Sequence, residues 1–150
     1  MKSEDVSDKK IRRIFSKVMD LTEEIDGNKI RIKLSEDLIV GDDVDYEIDH
    51  AALRYQFIAS LAEDARLDLG FANIDYKIYK AERDAYYRDE MVKPTNEKVT
   101  GAIHREPEYL KRKKNLVVLE QRTRKLESAK EAFKMKADLI RSKGANIRNS

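Results

Sequence analysis

The sequence predicts a mainly α-helical protein, a long antiparallel and coiled-coil-like helical hairpin that carries a small N-terminal α/β element. Charged residues make up 40% of the 150 residues, aromatic residues make up 7%, and Trp and Cys are absent. So much charge for so little apolar surface favours elongated helices over a thick globular core. Beyond residue 49, apolar residues recur at spacings of three and four, as in an amphipathic helix. A short connection at residues 92–96 divides this pattern in two, and short connections favour antiparallel helices.

Residues 1–45 are expected to form the small N-terminal element, a helix followed by a possible β-hairpin. Ser7 or Asp8 can cap the helix, and Gly27 with Asn28 is expected to end it. The apolar stripe of this helix contains Ile11, Ile14, Phe15, Val18 and Ile25. Residues 30–34 alternate between apolar and basic side chains, which is the period of a strand. Residues 38–40 are expected to complete the hairpin.

Residues 46–150 are expected to form the long helical hairpin. The first long helix is predicted over residues 49–91, with Asp49 as its N-cap and no proline before Pro94. Its seam steps by four and three residues alternately, as in a coiled coil. The seam positions are Ile58, Ala62, Ala65, Leu69, Ala72, Tyr76, Tyr79, Arg83 and Tyr86. Gly70 lies inside this helix and is expected to mark a bend or a close helix contact.

The second long helix is expected to start at Pro107, because proline is tolerated at the first helical position. Residues 95–105 would form a short helical elbow capped by Thr95, and Gly144 would end the main helix. The second seam contains Leu116, Leu119, Thr123, Leu126, Lys130, Phe133, Ala137 and Ile140. Tyr, Ala, Thr and Lys make the paired seams weak, so oligomerisation is expected to supply the missing burial. The residues expected to carry self-assembly are Leu116, Leu119, Leu126, Phe133 and Ile140.

Catalysis and metal binding have no candidate residues in this sequence. The two histidines, His50 and His104, lie in different segments without a second ligand at metal spacing. No glycine-rich phosphate loop or nucleophile motif is present, so neither an enzyme nor a cofactor is expected. The uncharged runs are too short to span a membrane, and the N-terminus lacks an apolar signal core. A cytoplasmic protein is therefore expected.

Charge is distributed unevenly along the chain. Residues 1–50 carry a net charge of −5, residues 51–100 carry −1, and residues 101–150 carry +8. Such polarity indicates either a charge match between subunits or a basic face for a polyanion. Lys77, Lys80 and Arg83 recur at spacing three among tyrosines, and single-stranded nucleic acid binds cations beside aromatic rings. Solvated helix faces, with the tyrosines buried in the seam, are the alternative interpretation.

Two stretches carry a recognisable pattern, KAERDAYY at residues 80–87 and IRSKGANIR at residues 140–148. Both resemble the UvsY family of phage recombination mediators. The family pattern is a basic K-A-R…D-Y-Y segment followed by a long helix that ends in I-(K/R)-S-(R/K)-G-x-x-I-(K/R). Arg83 and the pair Tyr86 and Tyr87 are in register with it, whereas Ala81 stands where the family has a lysine. The resemblance covers roughly residues 50–148.

The resemblance implies a non-enzymatic mediator that assembles into a ring-like homo-oligomer and binds single-stranded DNA. Such proteins weaken the hold of the single-strand-binding protein and help a RecA-like recombinase to load, which here would occur in the host cytoplasm if a phage encodes the chain. The expected DNA contacts are Lys77, Lys80, Arg83, Arg88, Lys111, Arg112, Lys113 and Lys114. The alternative is a phage structural or assembly coiled-coil protein without DNA binding, whose acidic and basic halves pair between subunits.

Overall fold

A computed structural model of the chain describes residues 20–33, 41 and 43–149. The protein is mainly helical (81%), with a two-stranded antiparallel sheet near the N-terminus, which confirms the predicted fold class at this level. The elements in chain order are β1 (Leu21–Ile25), β2 (Asn28–Ile32), α1 (Val44–Glu90), α2 (Asn96–His104) and α3 (Pro107–Asn149).

The β-hairpin differs from the prediction, because residues 21–25 form a strand and not the end of a helix. Asp26 and Gly27 have φ angles of 51° and 77°, as a two-residue turn with positive φ at both positions requires. Leu21 pairs with Ile32 in the antiparallel register, and both side chains are buried. The predicted strand at residues 30–34 therefore corresponds to β2, and its partner is β1. The part of the expected first helix that precedes residue 20, and the expected strand at residues 38–40, lie outside the described residues.

The N-cap of helix α1 is Asp43, six residues before the predicted N-cap Asp49, so the helix begins earlier than expected. The Asp43 carboxylate accepts a hydrogen bond from the Tyr46 backbone N–H at 3.1 Å, and the Asp43 carbonyl accepts one from Glu47 N–H. The bond to Tyr46 satisfies one of the backbone donors that the first helical turn leaves without a partner, and the bond from Glu47 is the first regular bond of the helix.

The chain divides into two compact units. Unit 1 comprises Met1–Ala59 and Glu127–Ser150, and unit 2 comprises Ser60–Leu126. Parts of α1 and α3 therefore belong to each unit.

Unit 1 holds a buried ion pair between α1 and α3. Lys136 Nζ lies 2.9 Å from Glu47 Oε2, and the two side chains are 3% and 9% exposed. The contact is an ion pair rather than a well-aligned hydrogen bond. Burial raises the pKa of the Glu47 carboxyl, but Lys136, the Gly41 backbone N–H and Arg54 together lower it below its usual value. Ile58, Phe133 and Ile140 are buried in the same unit.

Unit 2 contains the helical elbow and a second buried cluster. Arg122 Nη1 lies 2.9 Å from Asp68 Oδ2 near one end, and the Tyr76 and Tyr109 rings lie 6.1 Å apart nearer the elbow, so α1 and α3 run antiparallel here. The Thr95 hydroxyl accepts a hydrogen bond from Lys98 N–H at 3.2 Å, so Thr95 caps α2 as predicted. Helix α3 begins at Pro107, also as predicted. The buried cluster consists of Tyr79, Val99, Ile103 and Tyr109.

Most predicted seam positions are buried or half-buried, which confirms the two periodic patterns. Tyr86 is an exception, since its side chain is 48% exposed. Gly70 makes no close contact, because a Cβ atom built there would meet nothing within 4 Å. Gly144 does not end α3, which continues to Asn149 because Gly144 keeps helical backbone geometry.

Candidate nucleic-acid interface

Three of the predicted DNA contacts surround a groove in unit 2, which we call the Tyr76 groove. Its volume is about 400 Å³, and α1 and α3 both contribute to its walls. The lining residues are Asn73, Tyr76, Lys77, Lys80, Lys113, Leu116, Val117 and Glu120. Lys77, Lys80 and Lys113 are all exposed, so the groove presents three ammonium groups to solvent.

Two of these ammonium groups lie against one tyrosine ring. Lys80 Nζ is 5.5 Å from the centre of the Tyr76 ring, and Lys113 Nζ is 5.1 Å from it. Both distances fall within the range of cation–π attraction. Because the Tyr76 ring is half-buried, part of its surface stays accessible beside two cations.

Helical spacing and one aromatic contact place these groups together. Lys80 follows Tyr76 by four residues, which places both on one face of α1. On α3, Lys113 follows Tyr109 by four residues, and the Tyr109 ring is 6.1 Å from the Tyr76 ring. A hydrogen bond with Tyr76, together with burial, raises the pKa of the Tyr109 hydroxyl. This pair of tyrosines therefore aligns the lysines of the two helices.

Arg83 is ion-paired with the Glu106 carboxylate, a contact that the sequence did not predict. Arg83 Nε lies 2.7 Å from Glu106 Oε1, and the guanidinium also lies 4.4 Å from the Tyr86 ring and 5.1 Å from the Tyr87 ring. The Tyr79 hydroxyl donates a hydrogen bond to Glu106 Oε2. In this position the charge of Arg83 is largely compensated.

The contacts around Glu106 shift the pKa of Glu106 and the pKa of Tyr79. Burial raises the pKa of the Glu106 carboxyl, but hydrogen bonds from Tyr79, Tyr87 and Arg83 outweigh it, so the pKa falls below its ordinary value of 4.5. Burial and the hydrogen bond to Glu106 raise the pKa of Tyr79 to about 12. Glu106 therefore stays ionised and Tyr79 stays neutral near neutral pH.

Two further predicted DNA contacts, Arg88 and Arg112, are also ion-paired. Arg88 Nε lies 2.7 Å from Asp84 Oδ1, and its Nη2 donates a hydrogen bond to the Asn96 side chain at 2.7 Å. Arg112 Nε lies 2.9 Å from Glu108 Oε1, and its guanidinium lies over the Tyr79 ring. Lys111 and Lys114 are exposed on α3 but do not line the Tyr76 groove.

The residues expected to carry self-assembly lie mostly in the interior of the chain. Leu116, Leu126, Phe133 and Ile140 are buried against the chain itself, and Leu119 is half-buried. Helix α1 instead exposes a second apolar stripe of Leu67, Phe71, Ile74 and Ile78. Its spacing of four, three and four residues was readable in the sequence and could have indicated this surface.

The described residues contain no group of three or more side chains that could hold a metal ion. Within the same part of the chain, no helix has an apolar stretch long enough to cross a membrane. Neither known protein families, nor curated proteins, nor solved structures match the chain. The likeness to the UvsY family therefore rests on the two sequence stretches quoted above.

Proposed function

We propose that the protein binds single-stranded DNA through the Tyr76 groove. One observation carries this proposal: Lys80 and Lys113 place their ammonium groups 5.5 Å and 5.1 Å from a single half-buried tyrosine ring. Proteins that bind single strands without sequence preference combine cations that contact phosphates with aromatic rings that stack on bases.

In the proposed complex, phosphates attract the ammonium groups of Lys77, Lys80 and Lys113. Lysine side chains are long and flexible, so they can turn from the Tyr76 ring towards a phosphate. A base can then stack on the part of the Tyr76 ring that the lysine side chains no longer cover. Because these contacts recognise the backbone and the π-face of any base, binding should be largely independent of sequence.

The proposed biological role is that of a recombination mediator, as the UvsY-type stretches imply. A homo-oligomer, ring-like in this proposal, places several Tyr76 grooves along one strand, which raises the total affinity without any new kind of contact. The bound strand would be taken over from the single-strand-binding protein and passed to a RecA-like recombinase. This role needs neither a catalytic group nor a cofactor.

A second candidate function is assembly without DNA binding. The exposed apolar stripe on α1 favours it, because large exposed apolar patches often mark protein interaction sites. The ion pairs of Arg83, Arg88 and Arg112 also favour it, since they reduce the number of cations free for phosphates.

Fluorescence anisotropy of a labelled single-stranded oligonucleotide, measured at several salt concentrations, tests the proposal. Lys80→Ala combined with Lys113→Ala should weaken binding by about tenfold, because two phosphate contacts are lost. For the same reason, the plot of log affinity against log salt concentration should become shallower by about 1.4. Lys29→Ala combined with Lys134→Ala is the matched control, since both lysines are exposed and lie in unit 1. Arg83 stays unchanged in these variants, because its loss would leave Glu106 without its cation.

Tyr76→Leu separates base stacking from charge. The substitution should weaken single-strand binding by about tenfold and leave duplex binding unchanged, because paired bases cannot stack on the ring. Wild-type affinity in the double lysine variant, or equal losses in it and in the control, would contradict the proposed site. Failure of the wild-type protein to bind at low salt would favour the assembly function.

A further inference from the structure

Unit 2 exposes two different apolar faces that carry opposite charge. The first face, the acidic stripe, consists of the α1 residues Leu67, Phe71, Ile74 and Ile78 with Asp64, Asp75 and Glu82 along one edge. Its four apolar side chains are between 51% and 58% exposed. The acids recur eleven and seven residues apart, which keeps them on the same side of the helix.

The second face, the basic stripe, lies on α3. It consists of Leu110, Lys114, Val118, Gln121 and Lys125, with Lys111 beside it, and every one of these side chains is exposed. Leu110 is 50% exposed and Val118 is 60% exposed. Their spacing of three and four residues places the five on one face of the helix.

The two stripes cannot meet within one chain. On α1 the acidic stripe lies opposite Ala65 and Tyr79, which are buried in unit 2. On α3 the basic stripe lies away from Leu116 and Leu126, which are buried as well. Because the buried faces of both helices point inwards, both stripes point outwards.

We propose that the acidic stripe of one copy binds the basic stripe of a second copy. Apolar contacts in the middle and opposite charges at the edge make the two surfaces complementary. Two acidic stripes facing each other would instead bring like charges together. An interface between two different surfaces leaves one of each free on every pair, so further copies can add in the same way.

The size of the acidic stripe indicates a weak interface. Four half-exposed large side chains can bury on the order of 400 Å², about half of what one partner buries in a standard interface. Self-association should therefore depend on concentration, and the charged edge should make it depend on salt. This inference specifies the homo-oligomer of the proposed function but requires no DNA.

Sedimentation velocity of the full chain without DNA, over a concentration series at low salt, tests the interface. Asp75→Lys combined with Glu82→Lys reverses the acidic edge, and Lys114→Glu combined with Lys125→Glu reverses the basic stripe. Each double variant should weaken self-association by about tenfold, because like charges then face each other. The variant with all four substitutions should return to near wild-type association, because opposite charges face each other again.

The controls separate the interface from general charge and from folding. Glu90→Lys combined with Glu131→Lys makes the same charge change as the acidic-edge variant at exposed residues outside both stripes. Phe71→Ser should also weaken association, whereas Met135→Ser, at a residue that is 67% exposed on α3, should not. Far-ultraviolet circular dichroism verifies that each variant remains folded.

A wild-type protein that stays monomeric at all concentrations would overturn the inference. So would a quadruple variant whose self-association is as weak as that of the double variants. A third contradicting result would be wild-type self-association of the variant with Lys114→Glu and Lys125→Glu. The last result would indicate an α1 to α1 interface. Because no DNA is present, loss of DNA binding in the groove variants leaves this test unaffected, and a failure here leaves the Tyr76 groove untouched.

Discussion

Replacing Glu106 by Gln should destabilise the protein through the cluster that Glu106 organises in unit 2. Its carboxylate accepts hydrogen bonds from Arg83 at 2.7 Å and from the Tyr79 hydroxyl, and its side chain is 17% exposed. Gln has nearly the same shape but lacks the charge, so the substitution tests the electrostatic part of these contacts.

The expected magnitude follows from the burial of the pair. Hydrogen bonds to charged groups contribute about 1.5–3 kcal/mol each, and the Arg83 side chain is 31% exposed, which weakens the effect through solvent screening. Glu106→Gln should therefore lower the free energy of unfolding by about 2 kcal/mol. Tyr79→Phe should lower it by about 1 kcal/mol, and the double variant should lose less than the sum because the two groups share one bond.

The pH dependence has a defined sign. The pKa of Glu106 is lower in the folded protein than its ordinary value of 4.5. A carboxyl with a lowered folded pKa stabilises the protein above the unfolded pKa, and this stabilisation is lost as the pH falls through the folded value. The difference in the free energy of unfolding between wild type and Glu106→Gln should therefore be constant near neutral pH and should shrink below about pH 4.5.

Urea unfolding followed by circular dichroism at several pH values measures these differences. Glu108→Gln is the control, because Glu108 forms a more exposed pair with Arg112 one turn apart on the same helix. Such a pair contributes less than about 0.5 kcal/mol. Two results would contradict this prediction. One is an equal loss in the free energy of unfolding for Glu106→Gln and Glu108→Gln. The other is an effect of Glu106→Gln that stays the same at low pH.

Further predictions concern the ion pair of unit 1 and two glycines. Lys136→Ala should lower the free energy of unfolding by about 2 kcal/mol, because the buried Glu47 carboxylate then keeps only Arg54 at 3.9 Å and the Gly41 backbone N–H, whereas Lys136→Met with Glu47→Gln should restore most of that loss. Equal urea midpoints for the two variants would contradict this. Gly70→Ala should stabilise the protein by about 1 kcal/mol, since the added Cβ meets no neighbour inside a helix. Gly27→Ala should destabilise the protein by about 1 kcal/mol, because φ is +77° at this residue. A thermal melting temperature that falls for Gly70→Ala and rises for Gly27→Ala would contradict both predictions.

The proposed DNA site was only partly predictable from the sequence. The sequence indicates Lys77 and Lys80 as neighbours on one helix face, because that relation depends on helical spacing alone. It does not show that Glu106, 23 residues after Arg83, accepts the Arg83 guanidinium. That contact depends on how the elbow brings the start of α3 back to α1, and local patterns carry no such information.

The hairpin shows a different limit. Asp26 followed by Gly27 is a strong turn signal between two short strands, yet a glycine after an apolar stripe also resembles a helix end. The choice between them depends on whether Leu21 finds a strand partner, and Ile32 is that partner.

Helical periodicity and capping are local properties, so the sequence alone predicts the two long helices and the positions of Thr95 and Pro107. Packing between the helices determines which cations are compensated and which surround the Tyr76 groove. It also buries Leu116 and Phe133 inside the chain and leaves Phe71 and Ile74 exposed. The physical reason is that a helix can carry apolar residues on two faces, and only packing determines which face is covered.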